Sequence, residues 1–207
     1  IQHNTGPCMV IAGPGSGKTT VLTHRVRYLI ERYGVNPSDI LVITFTKAAA
    51  EQMKLKFKGL SEGRNSAVTF GTFHAVFFTI LKAAYNYSAH CIIKPQIQHE
   101  FVKDQMCRLE LEYDDENEAV AGVLSEISCV KGEDVNIDEY ESRCIPPQSF
   151  RIMYRAYDDM LVRKHLIDFD DMIVQCRELL MQREDYRRAW QNKYKYFRIL
   201  IRHSLMS

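Results

Sequence analysis

A chain of 207 residues, 46% apolar and carrying 11 Tyr and 10 Phe, has ample material for a hydrophobic core, which excludes wholesale disorder. The formal net charge is +1, so no global basic field marks a nucleic-acid binder, and any such surface must be local. No apolar run reaches membrane-spanning length and the first residues do not form a signal peptide, so a soluble, cytoplasmic protein with no membrane partner is expected.

In chain order, residues 1–7 are polar and lead abruptly into an apolar run at 8–12, CMVIA, whose composition predicts a buried strand. The run breaks into Gly13, Pro14, Gly15, Ser16 and Gly17. Lys18 and Thr19 then open a helical pattern carried on by Val21, Leu22, Val26, Leu29, Ile30 and Tyr33. Strand, glycine loop and helix in that order form the context of a phosphate-binding P-loop. Glycines let consecutive N–H groups turn inward around phosphate oxygens, and the helix start adds its positive dipole end. Ala12, Gly13, Pro14, Gly15, Ser16, Gly17, Lys18, Thr19 and Thr20 are therefore expected to bind ATP. Lys18 would reach the β- and γ-phosphates, and the Thr19 hydroxyl would ligate Mg2+. Ala12 stands where the strict motif has Gly. A turn that merely links strand to helix explains Gly13 and Gly15, but not Gly17-Lys18-Thr19 at the helix mouth.

Gly34 and the turn from Asn36 to Asp39 end that helix, and residues 40–45, ILVITF, predict a second buried strand. Ala49, Met53, Phe57 and Leu60 mark one face of a helix, and residues 67–70 a short third strand. Phe77, Phe78, Leu81 and Tyr85 face inward from the helix that follows. Beyond Tyr85 strand signals stop. Val102, Met106, Leu109 and Tyr113 predict one amphipathic helix, and Val120, Val123, Leu124 and Ile127 another. A third starts at Pro146-Pro147, and a fourth is capped by Asp168. Asp168, Asp170 and Asp171 could suggest a metal, but no His or Glu stands at ligand spacing, and capping plus dipole complementarity explains them better. Strand character returns only at 196–201, YFRILI. The acidic run 110–118 and the basic run 183–202 read as solvated helix faces. The six cysteines show neither C-x-x-C nor zinc spacing, and most are expected to be core thiols. This pattern predicts an α/β fold with a parallel sheet, interrupted by a long all-helical insertion.

Two segments sit at strand-to-helix turns, where such sheets present ligands. One is Thr44-Phe45-Thr46-Lys47, the other Thr72-Phe73-His74. Rings that stack on bases, with hydroxyls and helix starts that hold phosphates, suit single-stranded nucleic acid. Rings that plug the core above the sheet explain the residue types equally well, and His74 alone reads as a helix-start hydrogen-bonder.

Residues 6–26 (GPCMVIAGPGSGKTTVLTHRV), ILVITFTKAAAEQM, GTFHAVFFTIL and LIDFDDMI, in that order, resemble the UvrD/Rep/PcrA group of superfamily-one DNA helicases. The resemblance covers the chain almost end to end. It implies a RecA-like P-loop NTPase domain from residues 1–84 and 166–207, with a helical subdomain, 1B, inserted at 85–165. Residues 13–20 would bind ATP and magnesium. Thr44, Phe45, Thr46 and Lys47, with Thr72, Phe73 and His74, would lie along single-stranded DNA, which favours function over packing for the two rings. The parent activity implied is 3′–5′ translocation with separation of duplex DNA.

Three departures accompany the resemblance. The family's adenine-reading glutamine would lie upstream of residue 1, Gln2 being too near the loop. Arg202 and His203 stand where the family has the Asp that holds magnesium and the Glu that activates water. The second RecA-like domain is not part of this sequence. A motor fragment that binds nucleotide weakly and hydrolyses it negligibly is the leading expectation. A non-catalytic nucleotide- or DNA-binding module is the alternative, and a small-molecule kinase is a third reading that leaves both aromatic segments unexplained.

Overall fold

The computed structural model describes residues 6, 8–11, 13, 15–61 and 67–200. Expectations for Gln2, Ala12, Pro14, Ile201, Arg202 and His203 fall outside them. The chain forms two compact units, one from residues 1–76 and 183–207, the other from residues 77–182.

In the first unit, β1 (Ile40–Thr44) lies between β2 (Thr69–Thr72) and β3 (Tyr196–Leu200), all three parallel. All five β1 residues are buried, because alternate side chains enter cores on opposite faces of the sheet. Ile40 and Val42 pack with Val26 and Leu29 of α1 (Lys18–Tyr33) and with Met53 and Phe57 of α2 (Lys47–Leu60). Leu41 and Ile43 pack on the other side with Tyr194, Phe73, Val76 and Trp190. Gly34 ends α1 in the left-handed region at φ 62°, where Val35 N–H reaches back to the Leu29 carbonyl. The result is a mixed α/β fold with a small parallel sheet, as the sequence predicts.

The expected strand at 8–12 is not formed among the described residues. Residues 8–11 have no ladder, and Met9, Val10 and Ile11 are 86%, 72% and 89% exposed. An apolar run states a preference for burial, but a strand exists only where its N–H and C=O groups meet a neighbour. β3, at the edge of the sheet, shows the matching feature, with Phe197 and Ile199 both half exposed.

α3 (Phe73–Tyr85) carries the chain out of the first unit. The second unit is built on α4 (Pro95–Arg108), α5 (Glu116–Glu133), α6 (Pro147–Arg163) and α7 (Phe169–Gln182). Val102, Met106, Val120, Val123, Ile127, Phe150, Met153, Tyr157 and Leu161 form its core. The apolar spacing of α4 predicts helix to Tyr113, but the helix ends at Arg108 and Glu110 takes φ 52°. The acidic run is accordingly not a helix face. It is largely a connection, and Asp115 caps α5 by accepting the Glu118 N–H at 2.9 Å. That placement puts Glu116 and Glu118 where the helix dipole favours them.

Asp168 caps α7 as expected. Its Oδ1 accepts the Asp171 N–H at 2.7 Å, and Asp171 Oδ2 accepts the Asp168 N–H at 3.1 Å. The reciprocal pair is a capping box built from two aspartates. The buried Lys131 ammonium also lies 3.0 Å from Asp168, 2.7 Å from Asp171 and 3.2 Å from Asp158.

The cysteine expectation needs correction. Only Cys176 is buried, Cys91 and Cys129 are half buried, and Cys8, Cys107 and Cys144 are exposed. Cys8 lies in the unladdered run, Cys107 in the last turn of α4 and Cys144 in the connection before α6. No described helix is long and apolar enough to cross a membrane.

Helix α8 (Glu184–Lys193) is solvated, as its basic composition implies. Arg188 pairs with Glu184 at 2.7 Å, Arg183 with Asp185 at 2.8 Å, and the Lys193 ammonium sits 4.4 Å from the Trp190 ring centre.

Candidate functional site

The glycine loop is shaped by two residues that only glycine fits comfortably. Gly15 and Gly17 have φ 74° and 78°, in the left-handed region that a Cβ disfavours. Gly17 is the N-cap of α1 and supplies no side-chain cap. The first-turn N–H groups, which have no intrahelical acceptor, are therefore not taken up by a capping side chain. An anion at this point would meet those donors and the positive end of a 16-residue helix.

Lys18 folds back over the loop, and its Nζ donates to the Gly13 carbonyl at 2.6 Å. Ser16 Oγ donates to the same oxygen at 2.7 Å. Gly13 O thus gathers the cation and the hydroxyl into one small space. A phosphate competing for Lys18 would trade a neutral carbonyl for a charged oxygen, adding ion-pair attraction to the hydrogen bond the ammonium already makes. Thr19 is half buried and Thr20 exposed. The carbonyls of both accept Thr23 Oγ1 at 3.0 Å, which fixes the turn that carries them.

The second part of the site lies at the carboxyl ends of β1 and β2. Thr44 and Thr72 are register partners on adjacent parallel strands, so the segments following them start side by side. Thr46 Oγ1 accepts the Ala49 N–H at 3.2 Å and caps α2. Thr72 Oγ1 does the same for the Ala75 N–H at 3.2 Å, at the start of α3. Both hydroxyls therefore hold helix starts. Thr44 differs from its neighbours, being buried within the sheet at 4% exposure.

The rings of Phe45 and Phe73 touch, with centroids 5.4 Å apart. Phe73 is half buried and packs on Leu41, Ile43 and Tyr194. Phe45 is 58% exposed, and Thr46 and Lys47 beside it are exposed as well. His74 is half buried. The structure thus brings the two sequence-predicted segments into one ledge. It separates their roles, one ring anchoring in the core and the other open above it.

Among the described residues no group of His, Cys, Asp and Glu is placed to hold a metal ion. The loop and its helix start carry hydroxyls at Ser16, Thr19 and Thr20, oxygen ligands of the kind hard cations take. What sequence reasoning missed here is the pairing of Ser16 with Lys18 on Gly13 O. Its only sequence signal is the hydroxyl residue two positions before the lysine.

The sequence model of the UvrD/REP helicase N-terminal domain matches residues 1–201. Among curated relatives, the ATP-dependent DNA helicase PcrA of Staphylococcus epidermidis is 28% identical over 211 residues, covering 96% of this chain and 28% of that protein. The putative ATP-dependent DNA helicase YjcD of Bacillus subtilis is 31% identical over 211 residues, covering 96% of this chain and 27% of that protein. A probable DNA helicase II homolog of Mycoplasma capricolum is 29% identical over 198 residues, covering 92% of this chain and 27% of that protein. The chain therefore spans little more than a quarter of the length of these relatives.

Proposed function

The chain belongs to the UvrD/REP helicase N-terminal domain family, and we propose on that premise that it is the nucleotide-binding and single-strand-gripping part of an ATP-dependent DNA helicase. The observation that carries this reading is the pairing of two features in one unit. A glycine loop opens onto a helix start with no side-chain cap, and an aromatic ledge stands at the ends of the neighbouring strands.

In this reading Gly13, Gly15, Ser16, Gly17, Lys18, Thr19 and Thr20 cradle the phosphates of ATP, with Ala12 and Pro14 completing the loop. Bound Mg2+ would neutralise phosphate charge, and Thr19 would hold it. Lys18 leaves Gly13 O for a phosphate oxygen, so the loop needs little rebuilding to accept its ligand. Phe45 presents a ring for a base to stack on, Phe73 buttresses it from beneath, and Lys47 offers a charge to the adjacent phosphate. Thr46 and Thr72 position the ledge by holding α2 and α3, and His74 borders it. The helical insertion, residues 85–165, falls inside the helical unit of residues 77–182, and the partners of the parent protein are single-stranded and duplex DNA.

A second reading, a binding module without hydrolysis, is favoured by Arg202 and His203, which replace the two carboxylates that the family resemblance calls for. Both readings expect this chain to hold nucleotide and turn it over negligibly.

The test is binding of a fluorescent ATP analogue and of labelled oligo-dT to the 207-residue chain. Magnesium-dependent nucleotide binding that Lys18→Ala weakens at least tenfold, and oligo-dT binding that falls steeply with salt, are the expected results. No binding of either ligand by the folded chain overturns the reading. DNA-stimulated phosphate release overturns the expectation of negligible turnover.

A further inference from the structure

Helix α2 leaves the ledge with four lysines, Lys47, Lys54, Lys56 and Lys58, against a single acid, Glu51. On a helix of 3.6 residues per turn, Lys47, Lys54 and Lys58 fall on one flank, with Glu51 among them. Leu55 is next to them and 70% exposed. All three lysines are exposed. The buried residues of α2, Ala50, Met53 and Phe57, face the sheet and leave this flank to solvent.

Several other cations of this unit pair with acids within it. Arg27 pairs with Glu31, Lys195 with Asp39, Arg188 with Glu184, and Arg183 with Asp185. Lys54 and Lys58 make no ion pair among the described residues. The flank that starts at Lys47, three lysines against one glutamate, is therefore a stripe of net positive charge continuous with the ledge, and its complement is a polyanion that also reaches the ledge.

We propose that this flank of α2 is a second contact surface for nucleic acid, on which Lys54 and Lys58 hold the phosphate backbone of the strand running off the Phe45 ledge. From Lys47 to Lys58 the helix rises ~16 Å at ~1.5 Å per residue, enough to follow several phosphates. The contact is sequence-independent and acts through charge, with the Leu55 side chain beside it for sugar carbons. The proposal rests on the ledge reading above.

The experiment compares the intact chain with Lys54→Gln/Lys58→Gln and Lys54→Arg/Lys58→Arg, binding labelled dT20 and dT6 over a salt series. Each phosphate contact on a single strand contributes ~0.7 to the slope of log affinity against log salt. The glutamine pair should lower the dT20 slope by about 1.4, leave dT6 unchanged, and be rescued by arginine. Circular dichroism melts check that the exposed substitutions leave the fold intact. An unchanged dT20 slope, or an equal loss for dT6, overturns the proposal and leaves the ledge reading standing. A parent chain that binds neither oligonucleotide at low salt overturns the ledge reading itself, and this proposal with it.

Discussion

The rings of Phe45 and Phe73 lie 5.4 Å apart with their planes tilted by 51°, on segments that follow register partners Thr44 and Thr72. Their burial differs, and that asymmetry separates two effects of mutation. Phe45→Ala removes an exposed ring, so the melting temperature should change little while oligo-dT affinity drops by ~1–3 kcal/mol, the usual worth of one base–aromatic stack. Phe73→Ala should lower both, because its ring also packs on Leu41, Ile43 and Tyr194. Fluorescence anisotropy and thermal melts on the two variants check this. Equal destabilisation by both would show that neither ring is held for a ligand.

The threonines under the ledge make a second prediction. Thr46 and Thr72 each accept one N–H at 3.2 Å. Replacement by Ala removes the acceptor at each helix start, and each should cost about 1 kcal/mol of stability. Thr46→Asp should keep the cap but place a negative charge beside Lys47 and Phe45. Stability in urea is then retained while oligo-dT binding weakens, most at low salt. A variant that binds as tightly as the parent at 50 mM salt would remove the ledge from the DNA path.

Much of this arrangement was legible in the sequence, for identifiable reasons. β1 is buried on both faces, so its composition alone marks it. Asp168 and Asp171 stand at N-cap and third-residue spacing, and capping follows from side-chain reach. Residues 8–11 misled because apolarity carries no information about which edge a strand will find. Lys131 was missed although a signal was present. It stands four residues after Ile127 and one after Val130, inside the buried stripe of α5. A lysine in an apolar stripe needs buried carboxylates, and three aspartates at 168–171 were the candidates. Pairing elements far apart in the chain requires the fold, since nothing local connects residue 131 to residue 168.

Thiol chemistry gives a third prediction. Cys8 is exposed, four residues before the position where the glycine loop is expected to begin to cradle phosphate. Cys176 is buried, and burial pushes its thiol up to about 11. A thiol titrating so high offers almost no thiolate at neutral pH. Iodoacetamide at pH 7.5 should therefore label Cys8 early and Cys176 only after unfolding. Mg-ATP should slow labelling of Cys8 and leave Cys107 and Cys144 unaffected, read by mass spectrometry of peptides. Rapid labelling of Cys176 in the native chain would contradict the packing of α7.

The lysine at 131 allows the sharpest test of what holds the helical unit together. Burial by itself lowers its hold on its proton, but Asp168 and Asp171 outweigh that, so its pKa stands above the ordinary lysine value. A raised lysine pKa stabilises the fold fully below the unfolded value of ~10.4 and loses that contribution only as pH climbs through the higher folded value. The contribution from the lysine's own titration is thus fully present at neutral pH. Asp171 is pushed up, first by burial and then by the Asp168 charge, with Lys131 opposing. Lys131→Met leaves two carboxylates crowded without their cation, which should cost about 3–5 kcal/mol at pH 7. The folded variant then binds protons more tightly than its unfolded chain, so its stability rises as pH falls from 7 toward the unfolded aspartate value of ~3.9. Urea titrations at pH 7 and 4.5 should show the deficit against the parent shrinking at the lower pH. A deficit that stays constant would mean that Lys131 acts through its contact with Tyr157, whose ring centre lies 5.3 Å from the ammonium, rather than through the aspartates.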